Sequence, residues 1–320
     1  MTLSVLDGKT ILITGGTGSF GQAAVAELVK TSWARKIIVL SRDEYKQWEM
    51  IRLYAKDDRV RFYLGDVRDA RRVSLAFHGV DFVIHAAALK QVPALEANPF
   101  EAVQTNVIGA RNVIEAALER GVKKVVALST DKACGPVNLY GATKLVAEKL
   151  FLDADSYRGD WETLFSVVRY GNVVNSRGSV LDLWKEQAKS GVLDITSTNM
   201  TRFWTTLDEA VRFVLRCLRE TPGGEMWIPR LPAFRLEDLA SVMAPGAILN
   251  IIGIRRGEKM AEELVSKNES QYVFEEQDHF LLLKTYKYGI VSTTPWSYNS
   301  GDELPMSKEE IQRRFECLQQ

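Results

Sequence analysis

Cysteine is scarce, with three in 320 residues, and positions 134, 217 and 317 show no metal-ligand spacing. That argues against a disulfide-stapled scaffold and a zinc module, so reduced thiols, no metal and a cytoplasmic setting are expected. Net charge is missing as well, since 41 basic side chains balance 41 acidic ones. A nucleic-acid or acidic-membrane partner therefore has no electrostatic support. No run of about eighteen apolar residues occurs, so no membrane span is expected. The first residues also lack a basic stretch followed by an apolar one, so no signal peptide is visible. Repeats and low-complexity tracts are absent. What is present is a 46% hydrophobic composition, enough to bury the core of one large α/β domain or two close ones.

Residues 10–14 (TILIT) form a short apolar strand, GGTGSFG follows at 15–21, and 22–30 has a helical pattern. Strand, glycine loop and helix in that order are the start of a Rossmann dinucleotide site. Gly15, Gly18 and Gly21 let the backbone approach a pyrophosphate at a helix N-terminus. A second strand, 36–40, ends in Ser41-Arg42-Asp43. A hydroxyl and a guanidinium there suit a 2′-phosphate, which favours NADP, while Asp43 one step on is the residue type that would favour NAD. A third strand, 60–64, leads to Asp66 and Val67, placed for an adenine ring, with a plain turn aspartate as the other reading of Asp66. A fourth, 82–84, ends in His85 and the small residues Ala86, Ala87 and Ala88, which let the backbone lie beside the cofactor. Further strands are expected at 125–128 and 165–169.

The fifth strand delivers the stretch around which the chain is organised, STDKACGPVNLYGATK at 129–144. Tyr140 and Lys144 lie four apart on a predicted helix and share one face. An ammonium beside a phenol lowers the phenol pKa and makes it a usable proton acceptor. Cys134, in the same stretch, reads as a small packing residue in a turn. The helix expected over 102–120 could pair with the Tyr140 helix in a dimer bundle.

Beyond residue 170 the alternation of strand and helix loosens. Helices are predicted at 181–189 and 208–219, a strand leading to a charged loop over 251–259, and a capping box at Ser307 and Glu310 before a last helix. The expected class is α/β, a Rossmann-like doubly wound parallel sheet with a smaller, discontinuous C-terminal substrate lobe. Residues 1–171 would bind NADP, with part of 201–220 packed on them, and 172–320 would mainly form the substrate lobe. Arg177, Arg202 and Arg255 fall on its loops, either converging on a diphosphate or lying apart on the surface.

The glycine loop, the aspartate after the third strand and Y-x-x-x-K together resemble the extended short-chain dehydrogenase/reductase superfamily. The motifs TGGTGSFG, LSRDE, GDVRD, HAAALKQVP, LSTDKA, NLYGATK, RYGNVV, SRGSV, MTRFW and IGIRRGEK resemble the inverting UDP-N-acetylglucosamine 4,6-dehydratases over most of the chain. Departures fall at Arg256, where that family usually has Pro, at Ala261, where it has His, and at residues 181–184. The short chain and Tyr140 are similar to soluble members of that family.

The resemblance implies a UDP-sugar substrate, NADP as cofactor and a homo-oligomer, either dimer or hexamer. Thr130, Asp131, Lys132, Tyr140 and Lys144 would be catalytic. Tyr140 would take the 4-hydroxyl proton as C4 gives up a hydride, and Lys144 would hold the nicotinamide ribose. Lys132, deprotonated, would take the C5 proton, and Asp131 would protonate the departing 6-hydroxyl. Cofactor contacts would further include Thr17, Ser19, Phe20, Lys46, Lys90 and Asn106. Substrate contacts would include Lys90, Tyr170, Asn172, Ser179, Val180, Thr201 and Glu258. A 4-epimerase or reductase would share the cofactor site, and a silent NADP-binding protein would share only the fold.

Overall fold

In the computed structural model, which describes residues 5–157, 159–174, 180–284 and 291–318, a single large sheet carries the site. Its first half is β1 (Thr10–Thr14), β2 (Lys36–Ser41), β3 (Val60–Leu64), β4 (Phe82–His85), β5 (Lys124–Thr130) and β6 (Leu164–Tyr170). These six run parallel in the order β3-β2-β1-β4-β5-β6, the doubly wound Rossmann order. Continuous apolar runs such as TILIT produce them because helices cover both faces of the sheet. The crevice where strand order reverses, between β1 and β4, opens at the strands' carboxyl ends.

On one face lie α1 (Ser19–Thr31) and, well along the chain, residues 207–220, with Val25, Leu28, Val211, Val214 and Leu218 in a shared core. The edge helix α2 (Glu44–Leu53) follows β2. On the other face lie α3 (Ala70–Ala76), α6 (Gly109–Glu119) and α7 (Leu139–Asp153), packed through Val73, Val113, Ala117 and Phe151. Two short helices, α4 (Val92–Ala97) and α5 (Pro99–Val103), precede α6.

The helix expected over 102–120 is interrupted. Between α5 and α6 the chain makes a π turn, Gln104–Ile108, in which the Gly109 N–H donates to the Gln104 carbonyl. The turn coincides with Asn106, whose side chain bonds the backbone of Leu89 in both directions. Such π turns recur where a helix yields to a tertiary contact.

The remaining strands are β7 (Val192–Ile195), β8 (Thr201–Phe203), β9 (Glu225–Pro229), β10 (Ala233–Arg235), β11 (Ile248–Ile251), β12 (Glu263–Val265), β13 (Val273–Glu275), β14 (His279–Leu283) and β15 (Tyr298–Asn299). Three of them extend the main sheet: β9 pairs parallel with β6, β14 antiparallel with β9, and β13 antiparallel with β14. The expected division at residue 171 is therefore corrected. Much of 172–320, including Met226, Ile228, Phe280 and Tyr298, belongs to the same core as the nucleotide-binding half. What remains as a separate lobe is a smaller core of Leu181, Trp184, Met200, Trp204, Phe234 and Leu239.

That lobe is built by α8 (Val180–Gln187), α10 (Leu236–Met243) and α11 (Lys308–Cys317), with β7 and β11 paired beside them. The intervening α9 (Leu207–Glu220) is started by a full capping box. The Glu209 N–H donates to Thr206 Oγ1 (3.2 Å) and the Thr206 N–H to Glu209 Oε2 (2.7 Å). Of the strand and charged loop expected over 251–259, the strand falls earlier, at Ile248–Ile251. β11 ends at Ile251, because Gly253 and Gly257 have φ of 80° and 84°, a left-handed backbone that cannot continue a strand. Residues 252–262 instead loop over the carboxyl edge of the sheet.

Candidate active site

β5 runs into a 3₁₀ turn, Asp131–Ala133, and Asn138 then caps α7 by accepting from the Gly141 N–H (2.8 Å). A Cβ at Gly141 would lie 2.0 Å from the Lys132 carbonyl, so only glycine lets α7 seat directly on the turn. This contact brings Tyr140, in the first turn of α7, against Thr130, Asp131 and Lys132. All four line one cavity of about 910 Å³ that also takes in the glycine loop and the 252–262 loop.

The polar groups form a connected set. The Thr130 hydroxyl donates to Asp131 Oδ1 (2.9 Å), and Lys132 Nζ donates to the same oxygen (3.0 Å). Asp131 is fully buried, and its second oxygen has no partner among the described residues. Lys132 Nζ also lies 3.2 Å from Glu262 Oε1 and 3.5 Å from Asn172 Oδ1. Burial lowers the proton affinity of this ammonium, but the neighbouring charges of Asp131 and Glu262 outweigh it and push the Lys132 pKa above its ordinary value. This pairing favours the ammonium, whereas the base role that the resemblance implies for Lys132 requires the free amine.

Tyr140 departs from expectation in the same way. Burial pushes its phenol up to about 12, and the charge that pulls it back is Lys132, assisted by a hydrogen bond with Thr130. Lys144 points elsewhere: its Nζ donates to the Leu128 carbonyl (2.6 Å), and burial brings it down to about 8 against the opposing pull of Glu148. Tyr170, also facing the cavity, is pushed up by burial. His85 pairs with Thr14 Oγ1 (2.8 Å) and is held neutral, its pKa near 3, by burial and by Lys144. The buried Cys134 thiol is pushed up by burial, lies against Glu269 (3.4 Å) and is no nucleophile.

On the crevice side, Gly15, Thr17, Gly18, Ser19, Phe20, Gly21, Ser41, Arg42, Asp43, Lys46, Asp66, Val67, Ala86, Ala87, Ala88 and Lys90 all line the cavity. A dinucleotide fits this set. At Gly15, which has φ of +66°, a Cβ would stand 2.8 Å from the Ala87 backbone, closing the cradle between β1 and β4. Thr105 adds a buried hydroxyl to the wall with no partner among the described residues. Asn106 does not line the cavity. It is buried, donates to the Leu89 carbonyl (2.9 Å) and Thr143 Oγ1 (3.0 Å), and braces the 86–90 loop against α7. Asp43 is occupied as the cap of α2, accepting from the Lys46 N–H (3.0 Å) and pairing with Lys46 Nζ (2.5 Å).

On the lobe side, Tyr170, Asn172, Val180, Arg202, Arg255 and Glu258 line the cavity. Arg202 is turned inward, its Nε 3.8 Å from Glu262 Oε1 and its guanidinium donating to the Thr201 carbonyl (2.7 Å). Thr201 itself does not reach the cavity and is paired with Ser300 Oγ (2.9 Å). Arg177 and Ser179 lie outside the described residues. Sequence reasoning missed Glu262. Its only local signal was a carboxylate three residues beyond the IGIRRGEK motif, beside the equally acidic Glu263. Of Leu181–Trp184, where the sequence departs from the resembled pattern, Leu181 and Trp184 are core residues of the lobe.

A model of the family described as polysaccharide biosynthesis protein matches residues 11–284. A protein of Campylobacter jejuni subsp. jejuni serotype O:23/36, named UDP-N-acetylglucosamine 4,6-dehydratase (inverting), is 49% identical over 285 residues, 88% of this chain and 85% of its own. A Rickettsia conorii protein named UDP-glucose 4-epimerase is 43% identical over 280 residues, 85% of this chain and 82% of its own. The X-ray structure of Pen from Bacillus thuringiensis superposes with a TM-score of 0.92 at 37% identity, covering 98% of this chain and 99% of that one.

Proposed function

We propose a function from one premise: the chain belongs to the polysaccharide biosynthesis protein family and, within it, to the inverting UDP-N-acetylglucosamine 4,6-dehydratases. It is a nucleotide-sugar dehydratase. In finer terms, it removes water from UDP-N-acetylglucosamine with NADP as cofactor and inverts C5, giving a UDP-4-keto-6-deoxy-L-arabino-hexosamine. The observation that carries this reading is the Asp131–Lys132 pair at 3.0 Å, facing the same cavity as Tyr140 and the glycine loop. Proton transfer at C4 needs only Thr130, Tyr140 and Lys144, as a 4-epimerase would use them. Elimination across C5 and C6 needs, in addition, an acid for the departing oxygen and a base for the C5 proton.

A bound nicotinamide dinucleotide would supply the reversible oxidation at C4 and the later reduction at C6. The protein's residues handle the protons. Tyr140 takes the 4-hydroxyl proton, with the Lys132 charge and the Thr130 hydroxyl lowering the cost of the phenolate. The 4-ketone acidifies the C5 hydrogen, and Lys132 is the nitrogen that takes it. Asp131, in its protonated form, donates to the departing 6-hydroxyl, which is otherwise a very poor leaving group. Lys144 holds the nicotinamide ribose.

Incubation with UDP-N-acetylglucosamine in D₂O, followed by NMR, tests the reading. A C6 methyl, deuterium at C5 and inverted configuration are expected. Recovery of unchanged sugar, or of its C4 epimer alone, would count against it.

NADP in preference to NAD is supported by Arg42, about half exposed at the cavity, and by Asp43, which is engaged in capping α2. Arg42→Ala removes a charge-assisted bond worth roughly 1.5–3 kcal/mol. The KM for NADP is expected to rise about tenfold or more with little change for NAD. Equal changes for both cofactors would remove Arg42 from selectivity.

A further inference from the structure

Glu262 has no part in the reaction derived above, yet it is buried against the group that performs it. Its side chain is 4% exposed and its Oε1 lies 3.2 Å from Lys132 Nζ and 3.8 Å from Arg202 Nε. The other oxygen, Oε2, has no hydrogen-bond partner among the described residues. From behind, the Glu262 N–H donates to Ser300 Oγ (3.0 Å), which is itself paired with Thr201, so the residue is fixed in place. Lys259, the other nearby cation of this loop, donates to the Cys134 carbonyl (2.5 Å) and leaves Glu262 to Lys132 and Arg202. Lys132 Nζ thus sits between two buried carboxylates, Asp131 on its own turn and Glu262 from 130 positions along the chain.

An ammonium cannot take the C5 proton until its own proton has somewhere to go. We infer that Glu262 is a positioning residue for the elimination: its Oε1 accepts the Lys132 ammonium proton and so frees the amine as base. The inference rests on the dehydratase reading. Its protons balance. In the state that reacts, Asp131 carries one proton, Lys132 is an ammonium and Glu262 a carboxylate. The ammonium proton passes to Glu262, and the amine takes the C5 proton. The C5–H electrons form the C5–C6 double bond, the C6–O bond breaks, and Asp131 gives its proton to the leaving oxygen, releasing water. Lys132 is again an ammonium. It passes one proton to Asp131 and takes one from Glu262, and the starting state returns without any outside donor.

The electrostatics of the pair fit this role. Burial raises the affinity of Glu262 for a proton, against the opposing charges of Lys132 and Arg202. Two carboxyls sharing one proton across a cation titrate as a unit, so removing one should alter the pH profile of the whole.

Glu262→Gln keeps size and burial but cannot accept the proton. With UDP-N-acetylglucosamine, its product formation and C5 deuterium uptake are expected to fall together by about a hundredfold or more. The KM for the sugar should stay within a few-fold, and C4 oxidation, read as reduced-nicotinamide absorbance, should persist. Glu262→Asp, which retains an acceptor, should recover part of the rate with a displaced pH profile. An E262Q rate within a few-fold of the unaltered protein, with an unchanged pH profile, would overturn the relay alone. Parallel loss of C4 oxidation and elimination would overturn it too, as the mark of a merely structural residue. If the unaltered protein yields no 4-keto-6-deoxy product, the dehydratase reading falls and the relay with it.

Discussion

Lys132→Ala is expected to slow dehydration by about a thousandfold or more while leaving dinucleotide binding intact. General acid–base groups contribute roughly 10²- to 10⁴-fold each, and this substitution removes the nitrogen that, among the described residues, pairs with both Asp131 and Glu262. The cofactor side is untouched, since the glycine loop and Arg42 lie on other elements. Product formation by NMR and cofactor affinity by fluorescence titration separate the two effects. Dehydration at the ordinary rate would remove Lys132 from the mechanism.

The same substitution should also change how stability depends on pH. Without the ammonium, two buried carboxyls face each other and Arg202 alone opposes their charge. Glu262, already raised, moves further above its unfolded value near 4. A raised carboxyl stabilises fully below the unfolded pKa and loses that contribution as pH rises through the folded one. K132A should therefore be closest to the unaltered protein in acid and fall behind it toward neutrality.

Arg169→Met is expected to cost roughly 3–5 kcal/mol of stability, a large share of the roughly 5–15 kcal/mol typical of a folded domain. Arg169 is fully buried and donates to Glu148 twice (2.9 and 2.7 Å), to Glu269 twice (3.0 and 2.8 Å) and to the Leu264 carbonyl (2.9 Å). Glu148 in turn accepts from Ser129 Oγ (2.5 Å), directly before the catalytic turn. Methionine fills the space but leaves the buried Glu148 and the partly buried Glu269 without their cation.

The sign of the pH effect follows from Glu269. Burial pushes this carboxyl up, yet Arg169 and Ser266 outweigh it and bring it down to about 2. Its contribution is present above the unfolded value near 4.3 and is lost as pH falls through about 2. The deficit of R169M should then be largest near neutrality and shrink in acid. Urea unfolding at pH 7 and pH 3 reads this directly. A neutral-pH loss under about 1 kcal/mol would mean that the triad is not a structural clamp.

Legibility tracked the range of the interactions involved. The glycine loop, the strand ends and the Tyr140–Lys144 spacing are local patterns, and each lies on the element expected of it. The Asn106 expectation failed because a helical pattern does not reveal that its amide bonds Leu89 and bends the helix into a π turn. Of the strand and charged loop expected over 251–259, the strand ends at Ile251 and the rest is loop, because Gly253 and Gly257 hold a left-handed backbone. Division of the chain at 171 failed for a different reason: β9, β13 and β14 look like any short strands, and only pairing decides which sheet they join.

By itself, the order of residues determined the Rossmann half, its crevice and the identity of the turn that carries Asp131 and Lys132, because buried parallel strands and their ends are written in contiguous residues. Charge state at the site was decided by the tertiary structure alone. Burial lifts Tyr140 to about 12, and Glu262 arrives from a distant loop to pair with Lys132. Desolvation and pairing depend on what surrounds a group in space, and residues 130 positions apart leave no local trace of meeting.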